Sequence, residues 1–192
     1  MLPWGGSTLI EWQIGQLRAA GASNVTVVLG SGAEALTGLV AAAGAEAIIN
    51  ERYREGRATS VRTGAEALAE GLRRIVIVSV DQPRPAWVTR RLLDAMGPGR
   101  LTAAPRHRGH GGHPIVLDGS LATELAAVTE ETFGLRAVME RHKSETVNVE
   151  FENRCVIVDL NTPAEYQAAL SSFERGEWDE DSRGPLQSDK GR

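Results

Sequence analysis

Along the chain, short continuous apolar runs alternate with apolar residues repeating at helical spacing. Leu9, Ile10, Gln13, Ile14 and Leu17 form the first such repeat, one face of a helix. Thr8-Leu9-Ile10-Glu11 matches a capping box at its start, with Thr8 as N-cap and Glu11 reaching back to it. Gly21 is placed to end it. The residues before it, Met1 to Gly6, read as a turn. Residues 24–29 form an apolar strand closed by Gly30-Ser31-Gly32. Residues 33–43 predict a helix of small side chains, and residues 45–49 a short strand ending at Asn50. A polar stretch through Arg57 leads into a helix over 58–70 with Val61, Ala65 and Leu68 on its apolar face. Then comes the most continuous run, Ile75-Val76-Ile77-Val78-Ser79-Val80. A run this short and unbroken predicts a strand buried on both faces inside a parallel sheet. It stops at Asp81, and Pro83 and Pro85 forbid further ladder pairing.

Further on, the pattern predicts a helix over 85–96, a strand over 101–104, a Gly-rich loop over 106–114 and a strand over 115–117. Helices over 121–127 and 133–141 follow, then strands over 146–150 and 155–158, and a last helix over 162–173 with Pro163 in its first turn. Strands alternating with helices predict an α/β domain with a mainly parallel sheet and helices on both faces, that is, three layers. Residues 1–173 are read as one domain. Residues 174–192, with Glu177, Asp179, Glu180 and Asp181 close together, are read as a disordered acidic tail.

The formal net charge of −4 gives no basic surface for nucleic acid. The single cysteine, Cys155, excludes an internal disulfide and reads as a small buried hydrophobe in a reducing compartment. No apolar run reaches membrane-spanning length and no leader is visible, so the expected location is the cytoplasm.

Two predicted strands end in an acid, Asp81 and Asp159. In open α/β sheets, ligands bind at the carboxyl ends of the strands. A carboxylate pair there is a natural site for Mg2+, which takes one or two carboxylates and completes its shell with water and phosphate oxygens. Asn161 adds a possible carbonyl ligand. The alternative is that these acids, with Thr162, cap the helices that follow. Glu55-Gly56-Arg57-Ala58-Thr59-Ser60-Val61-Arg62 sets a glycine before a helix whose amides could receive a polar ligand, with Ser60 and Arg62 as donors. Otherwise these are ordinary first-turn residues. The loop over 106–114 holds His107, His110 and His113. Their spacing invites zinc, but without Cys or an acid cluster the reading is weak. His107 and Arg108 are expected to face solvent, and the glycines suggest close backbone approach to something, a ligand among the candidates. His113, held extended before Pro114, contacts a substrate or is a satisfied core histidine. Arg136 is a candidate for an anionic substrate.

Taken in order, Leu2-Pro3-Trp4-Gly5-Gly6, Asn50, Glu55-Gly56 with Ser60-Val61-Arg62, Asp81-Gln82-Pro83, Gly112-His113-Pro114, Gly134-Leu135-Arg136 and Asp159-Leu160-Asn161-Thr162-Pro163 resemble the MobA-like nucleotidyltransferases. The nearest branch is the molybdenum cofactor cytidylyltransferase-like group. The resemblance implies a Rossmann-like nucleotidyltransferase fold. It implies Mg2+-dependent transfer of CMP or GMP from CTP or GTP to a phosphate acceptor such as molybdopterin, with release of pyrophosphate. Asp81 and Asp159 would be the catalytic acids and metal ligands. Ser60 and Arg62 would border the nucleotide, and Gln82, Pro83 and Gly112 the substrates. His113 and Arg136 would lie on the acceptor side. A homo-oligomer or a molybdoenzyme maturation partner fits the same picture. The resemblance also has departures. The family's opening strand and Gly-rich phosphate loop, ending in lysine, have no counterpart before Leu2-Pro3. Asn161 stands where an acid is usual, and the acid usual before Gly134 is displaced to Glu131. The expectation is a chain begun downstream of the loop, or a relative that lost it and now binds without catalysing. Either way, a strand near 24–29 or 75–80 is left short of a neighbour. Sugar-phosphate nucleotidyl transfer is the narrower rival.

Overall fold

In the computed structural model, which describes residues 1–180, Gly5 and Gly6 turn a small hairpin, β1 (Pro3–Trp4) against β2 (Ser7–Thr8). The turn read from the sequence is thus bracketed by two bridges. Helix α1 (Leu9–Ala19) starts with the expected capping box: Glu11 N–H donates to Thr8 Oγ1 (3.4 Å) and Thr8 N–H to the Glu11 carboxylate (2.9 Å). Strand β3 (Thr26–Leu29), helix α2 (Ala33–Ala42) and parallel β4 (Glu46–Ile49) follow. After a 3-10 turn at Tyr53–Glu55 come α3 (Arg57–Glu66), β5 (Arg74–Ile77) and α4 (Ala86–Ala95). The chain continues through β6 (Thr102–His107), β7 (His110–Gly111) and β8 (Ile115–Asp118) to α5 (Ala122–Ala126) and α6 (Leu135–Arg141). It closes with β9 (Thr146–Glu150), a 3-10 turn at Arg154–Ile157 and α7 (Pro163–Glu174).

The larger sheet runs β5-β8-β6, with β7 and β9 both on β6. Strands β5 and β6 are each antiparallel to β8, so they point the same way, and β9 runs parallel to β6. Side chains alternate across this sheet. Val116 joins a core with α1, α4 and α7, whereas Ile115 and Leu117 join a second core with α3, α5 and α6. The fold is therefore three-layered, as the alternating pattern predicts. A third core lies around Ile14, Val25, Leu29 and Val40, beneath α1 and α2. Among the described residues, β3 pairs only with β4 and β5 only with β8. Strands β3 and β5 thus each have one edge without a strand partner among the described residues.

Four sequence expectations change. First, β5 ends at Ile77, not Val80. Its partner β8 begins at Ile115, and Pro114 before it has no N–H to extend the ladder. Val80 is 48% exposed in the following turn, and β5 is half-buried with one neighbour. Second, the apolar run over 155–158 is a 3-10 turn. Asn153 caps it by accepting from Cys155 N–H (3.0 Å), and Cys155 and Val156 reach the core without a ladder. Third, part of the Gly-rich stretch is regular. Strand β6 extends to His107 and turns back through β7, with Arg108 (φ 49°) and Gly109 (φ 83°) in the turn. His107 is buried, and its Nδ1–H donates to Phe151 O (2.9 Å). Only Arg108 of that pair faces solvent. Fourth, the first part of the expected tail is ordered. α7 continues through Glu174, and Trp178 is buried against Trp4 and Phe173. Residues 181–192 lie outside the described residues. No described helix is long and apolar enough to cross a membrane.

Candidate active site

The two acids meet. The turn after β5 presents Asp81, the segment after the Arg154–Ile157 turn presents Asp159, and Leu160 N–H donates to Asp81 O (2.9 Å), tying the two segments together. Both carboxylates are partly open to solvent, with side chains 31% exposed for Asp81 and 42% for Asp159. Each faces an arginine. Arg57 Nη2, in the first turn of α3, lies 3.5 Å from Asp81 Oδ2, and Arg84 Nη2 lies 3.7 Å from Asp159 Oδ1. Asp81 caps no helix: α4 starts at Ala86 with Pro85 at its N-cap position. For α7 the cap is Thr162, whose hydroxyl accepts from Glu165 N–H. Both acids are therefore free of capping duty.

Arg84 was not legible as a site residue. An arginine between two prolines reads as a surface cation, yet its side chain is fully buried. Three carbonyls explain the burial. Nε donates to His113 O (2.9 Å), and Nη1 donates to Pro83 O (2.8 Å) and Val158 O (2.7 Å). The Arg84 backbone N–H donates to Gln13 Oε1 (3.0 Å), which fixes the loop to α1. Arg84 thus joins the segments carrying Asp81, His113 and Asp159. Burial pushes its pKa down to about 10, opposed by Cys155, Asp159 and Asp81, so the group stays charged at neutral pH. Burial also lowers the His113 pKa, and Arg84 lowers it further, so the imidazole is held toward its neutral form.

Three buried side-chain atoms converge on this loop without a hydrogen-bond partner: Gln82 Oε1, Arg84 Nη2 and His113 Nδ1. Orphaned buried polar atoms are uncommon in folded proteins and mark places where a ligand, ion or water belongs. Gln82 and Pro83, expected at the substrate, are both buried beside the acid pair. Gly112 has a different role from the one anticipated. A Cβ there would sit 2.0 Å from Val156 O, so its close neighbour is the protein's own backbone. This close approach lets His113 N–H donate to Val156 O (3.0 Å) and Gly112 N–H to Pro105 O (2.9 Å).

Ser60 lies in the first turns of α3, where buried Asn50 braces it. The Asn50 amide donates to Thr59 Oγ1 (2.8 Å) and Ser60 Oγ (3.0 Å), and its Oδ1 accepts from Arg52 N–H (3.0 Å). Arg62, one turn on, is paired with Glu66 at 3.7 Å. The start of α3 already has an anion, because Ala58 N–H donates to the Glu130 carboxylate. Gly56 has φ 125°, a backbone conformation that side chains rarely adopt, and a Cβ there would also displace the Glu130 carboxylate. Glu130, rather than Glu131, is thus the acid that reaches the start of α3. Gly134 packs on Ala58, which brings the turn before α6 to the start of α3. Arg136 is exposed at the beginning of α6. The structure therefore gathers Asp81, Gln82, Pro83, Gly112, His113 and Asp159 at one place, sets Ser60 and Arg62 on the adjoining α3, and leaves Arg136 on the next helix. Of the three histidines of the 106–114 stretch, His107 and His110 are partners in the β6–β7 register, and His107 is bonded to Phe151 O. Among the described residues no group of three or more His, Cys, Asp or Glu is placed to hold a metal. A cavity of about 580 Å³ opens beside Asp159 and Asn161, between the Arg154–Ile157 turn and α7.

The three-layer α/β fold is one shared with a solved nucleotidyl transferase. The chain belongs to the family of the MobA-like NTP transferase domain, which matches residues 1–147. It is 29% identical over 149 residues to nicotine blue oxidoreductase of Paenarthrobacter nicotinovorans, covering 73% of this chain and 72% of that protein. Among solved structures it resembles Rv0371c of Mycobacterium tuberculosis (26% identity, TM-score 0.75, 90% of this chain and 88% of that one). That protein has also been solved with manganese (24% identity, TM-score 0.70, 90% of each chain). A nucleotidyl transferase from Methanothermobacter shares the fold (20% identity, TM-score 0.77, 91% of this chain and 84% of that one).

Proposed function

We propose that this protein transfers a nucleotidyl group, CMP or GMP, from a nucleoside triphosphate to the phosphate of a molybdopterin-type acceptor. The observation that supports this reading is the backbone bond from Leu160 N–H to Asp81 O, which ties together the two segments that carry the acids. Two carboxylates with no third His, Cys, Asp or Glu beside them among the described residues suit Mg2+ or Mn2+, which draws its remaining ligands from phosphate and water. Asp81 and Asp159 would hold the ion, and when bound it would neutralise charge on the reacting phosphates. An acceptor phosphate oxygen attacks the α-phosphorus, the bond from that phosphorus to the bridging oxygen breaks, and pyrophosphate leaves. Such transfers rest on positioning and charge neutralisation more than on covalent help. In this chain, Arg57 supplies an exposed cation for the phosphates. Asn50 fixes Ser60 where base and ribose would lie, and Arg84 keeps the loops of His113 and Asp159 in register. His113, held neutral, offers Nδ1 on the acceptor side.

Calorimetric titration with Mg·CTP and Mg·GTP, followed by a pyrophosphate-release assay with a molybdopterin-type acceptor, tests the reading. Binding of one nucleotide with pyrophosphate released only when acceptor is present supports it. Binding without release supports the non-catalytic relative, and binding of neither ends it. The 29% identical relative named nicotine blue oxidoreductase motivates a second reading, an oxidoreductase on the same fold. Oxidation of NADH or NADPH in the presence of a quinoid dye, absent without the protein, would favour that one.

A further inference from the structure

The two carboxylates of the proposed site are balanced by two guanidiniums, and these are held in opposite ways. The Arg57 side chain is 82% exposed, so it is free to leave Asp81. The Arg84 side chain is 0% exposed and fastened to His113 O, Pro83 O and Val158 O, so it stays beside Asp159. With two negative and two positive groups, the patch has no net charge to draw in a divalent cation. An ion entering alone meets the fixed charge of Arg84 and finds no third His, Cys, Asp or Glu among the described residues to help hold it. Buried Arg84 Nη2 lacks a hydrogen-bond partner and lies 3.7 Å from Asp159 Oδ1, so this nitrogen faces the acid and whatever binds there. A triphosphate reverses the balance. It brings several negative charges, gives Arg57 a new partner and supplies the missing oxygen ligands.

Building on the nucleotidyltransferase reading, we infer that Arg57 and Arg84 are built-in counter-cations that keep a lone divalent ion out of the Asp81–Asp159 pair and admit it only together with a nucleotide. Metal and nucleotide then bind with strong positive coupling, and by linkage each raises the affinity of the other by the same factor. Arg57 acts as the movable member, passing from Asp81 to the phosphates, and Arg84 as the fixed one.

The test is Mn2+ binding to the full chain, read from the electron paramagnetic resonance signal of free Mn2+. It is run alone and with a saturating non-hydrolysable α,β-methylene analogue of CTP or GTP, correcting for the Mn2+–nucleotide complex measured without protein. The analogue is expected to tighten Mn2+ binding about 100-fold, near the upper end of ordinary coupling. Arg57→Gln, an exposed change that spares the fold, is expected to bind Mn2+ alone about threefold more tightly, the size of a solvent-screened pair. Mn2+ binding alone as tightly as with the analogue overturns the inference, and so does an Arg57→Gln protein unchanged in its affinity for Mn2+ alone. Analogue binding without coupling refutes this inference but leaves nucleotidyl transfer standing. No analogue binding with or without Mn2+ removes both.

Discussion

Arg84→Met is the substitution whose outcome the structure sets most narrowly. The guanidinium gives three hydrogen bonds of 2.7–2.9 Å to the carbonyls of Val158, Pro83 and His113 and stands 3.7 Å from Asp159. Bonds from a charged donor contribute about 1.5–3 kcal/mol each. Against them stands the burial of the charge. Desolvation is the largest cause of its pKa falling to about 10, a net cost on the order of 3 kcal/mol for the charged form. Met removes the penalty but leaves the three carbonyls without their donor and Asp159 without its counter-ion. The net expected loss is about 3–5 kcal/mol, as for breaking up the contacts of a buried charge. Equilibrium urea unfolding reads it directly, as a lower midpoint at unchanged slope. Arg84→Lys, which keeps the charge without the planar fork, should fall between the two. An Arg84→Met protein within about 1 kcal/mol of the parent would refute the claim that this side chain holds the three loops together.

Other changes have equally definite outcomes. Gly112→Ala drives a methyl into Val156 O at 2.0 Å, against backbone that cannot swing aside. It should cost about 3 kcal/mol in urea unfolding and weaken metal-dependent nucleotide binding, whereas Gly111→Ala, with nothing within 4 Å, should change neither. Because burial and Arg84 lower the His113 pKa in the folded state, the unfolded ring takes up a proton at a higher pH than the folded one. Stability should therefore fall as pH drops below about 6.5, and His113→Asn should remove that part of the slope in thermal melts across pH 5–8. Trp178→Ala, which removes a buried ring packed on Trp4 at 5.3 Å and Phe173 at 5.8 Å, should cost about 3–5 kcal/mol in the same melts. A tail that contributed nothing to the core would lose nothing.

Several parts of this site could be read before any coordinates. Asp81 ends a β-branched run and is followed by prolines, a local pattern that needs no knowledge of the fold. The Thr8–Glu11 capping box is likewise a four-residue rule and holds atom for atom. Asp159 was found although its element was misread, because an apolar run followed by an acid reads the same whether it is a strand or a 3-10 turn. What decided the turn was the Asn153 side chain accepting from Cys155 N–H, a local competitor to the ladder. Arg84 was invisible for the opposite reason: its acceptors come from positions 83, 113 and 158, and no window of sequence joins them. Glu130 was missed because two adjacent acids precede Gly134 and only the contact with Ala58 tells them apart. Trp178 was lost among acidic neighbours. Its burial depends on an aromatic group gathered from the hairpin, α1 and α7.

The central claim is that Asp81 and Asp159 act as one ligand pair for a divalent ion on a nucleotide. A double-mutant cycle of Asp81→Asn and Asp159→Asn, reading Mn2+ bound in the presence of the non-hydrolysable nucleotide, tests it most directly. The account predicts that each single change weakens Mn2+ binding at least about tenfold, a loss of about 1.4 kcal/mol, and that the double change loses clearly less than the two losses combined. Full additivity, or Mn2+ binding that survives both substitutions, would contradict it.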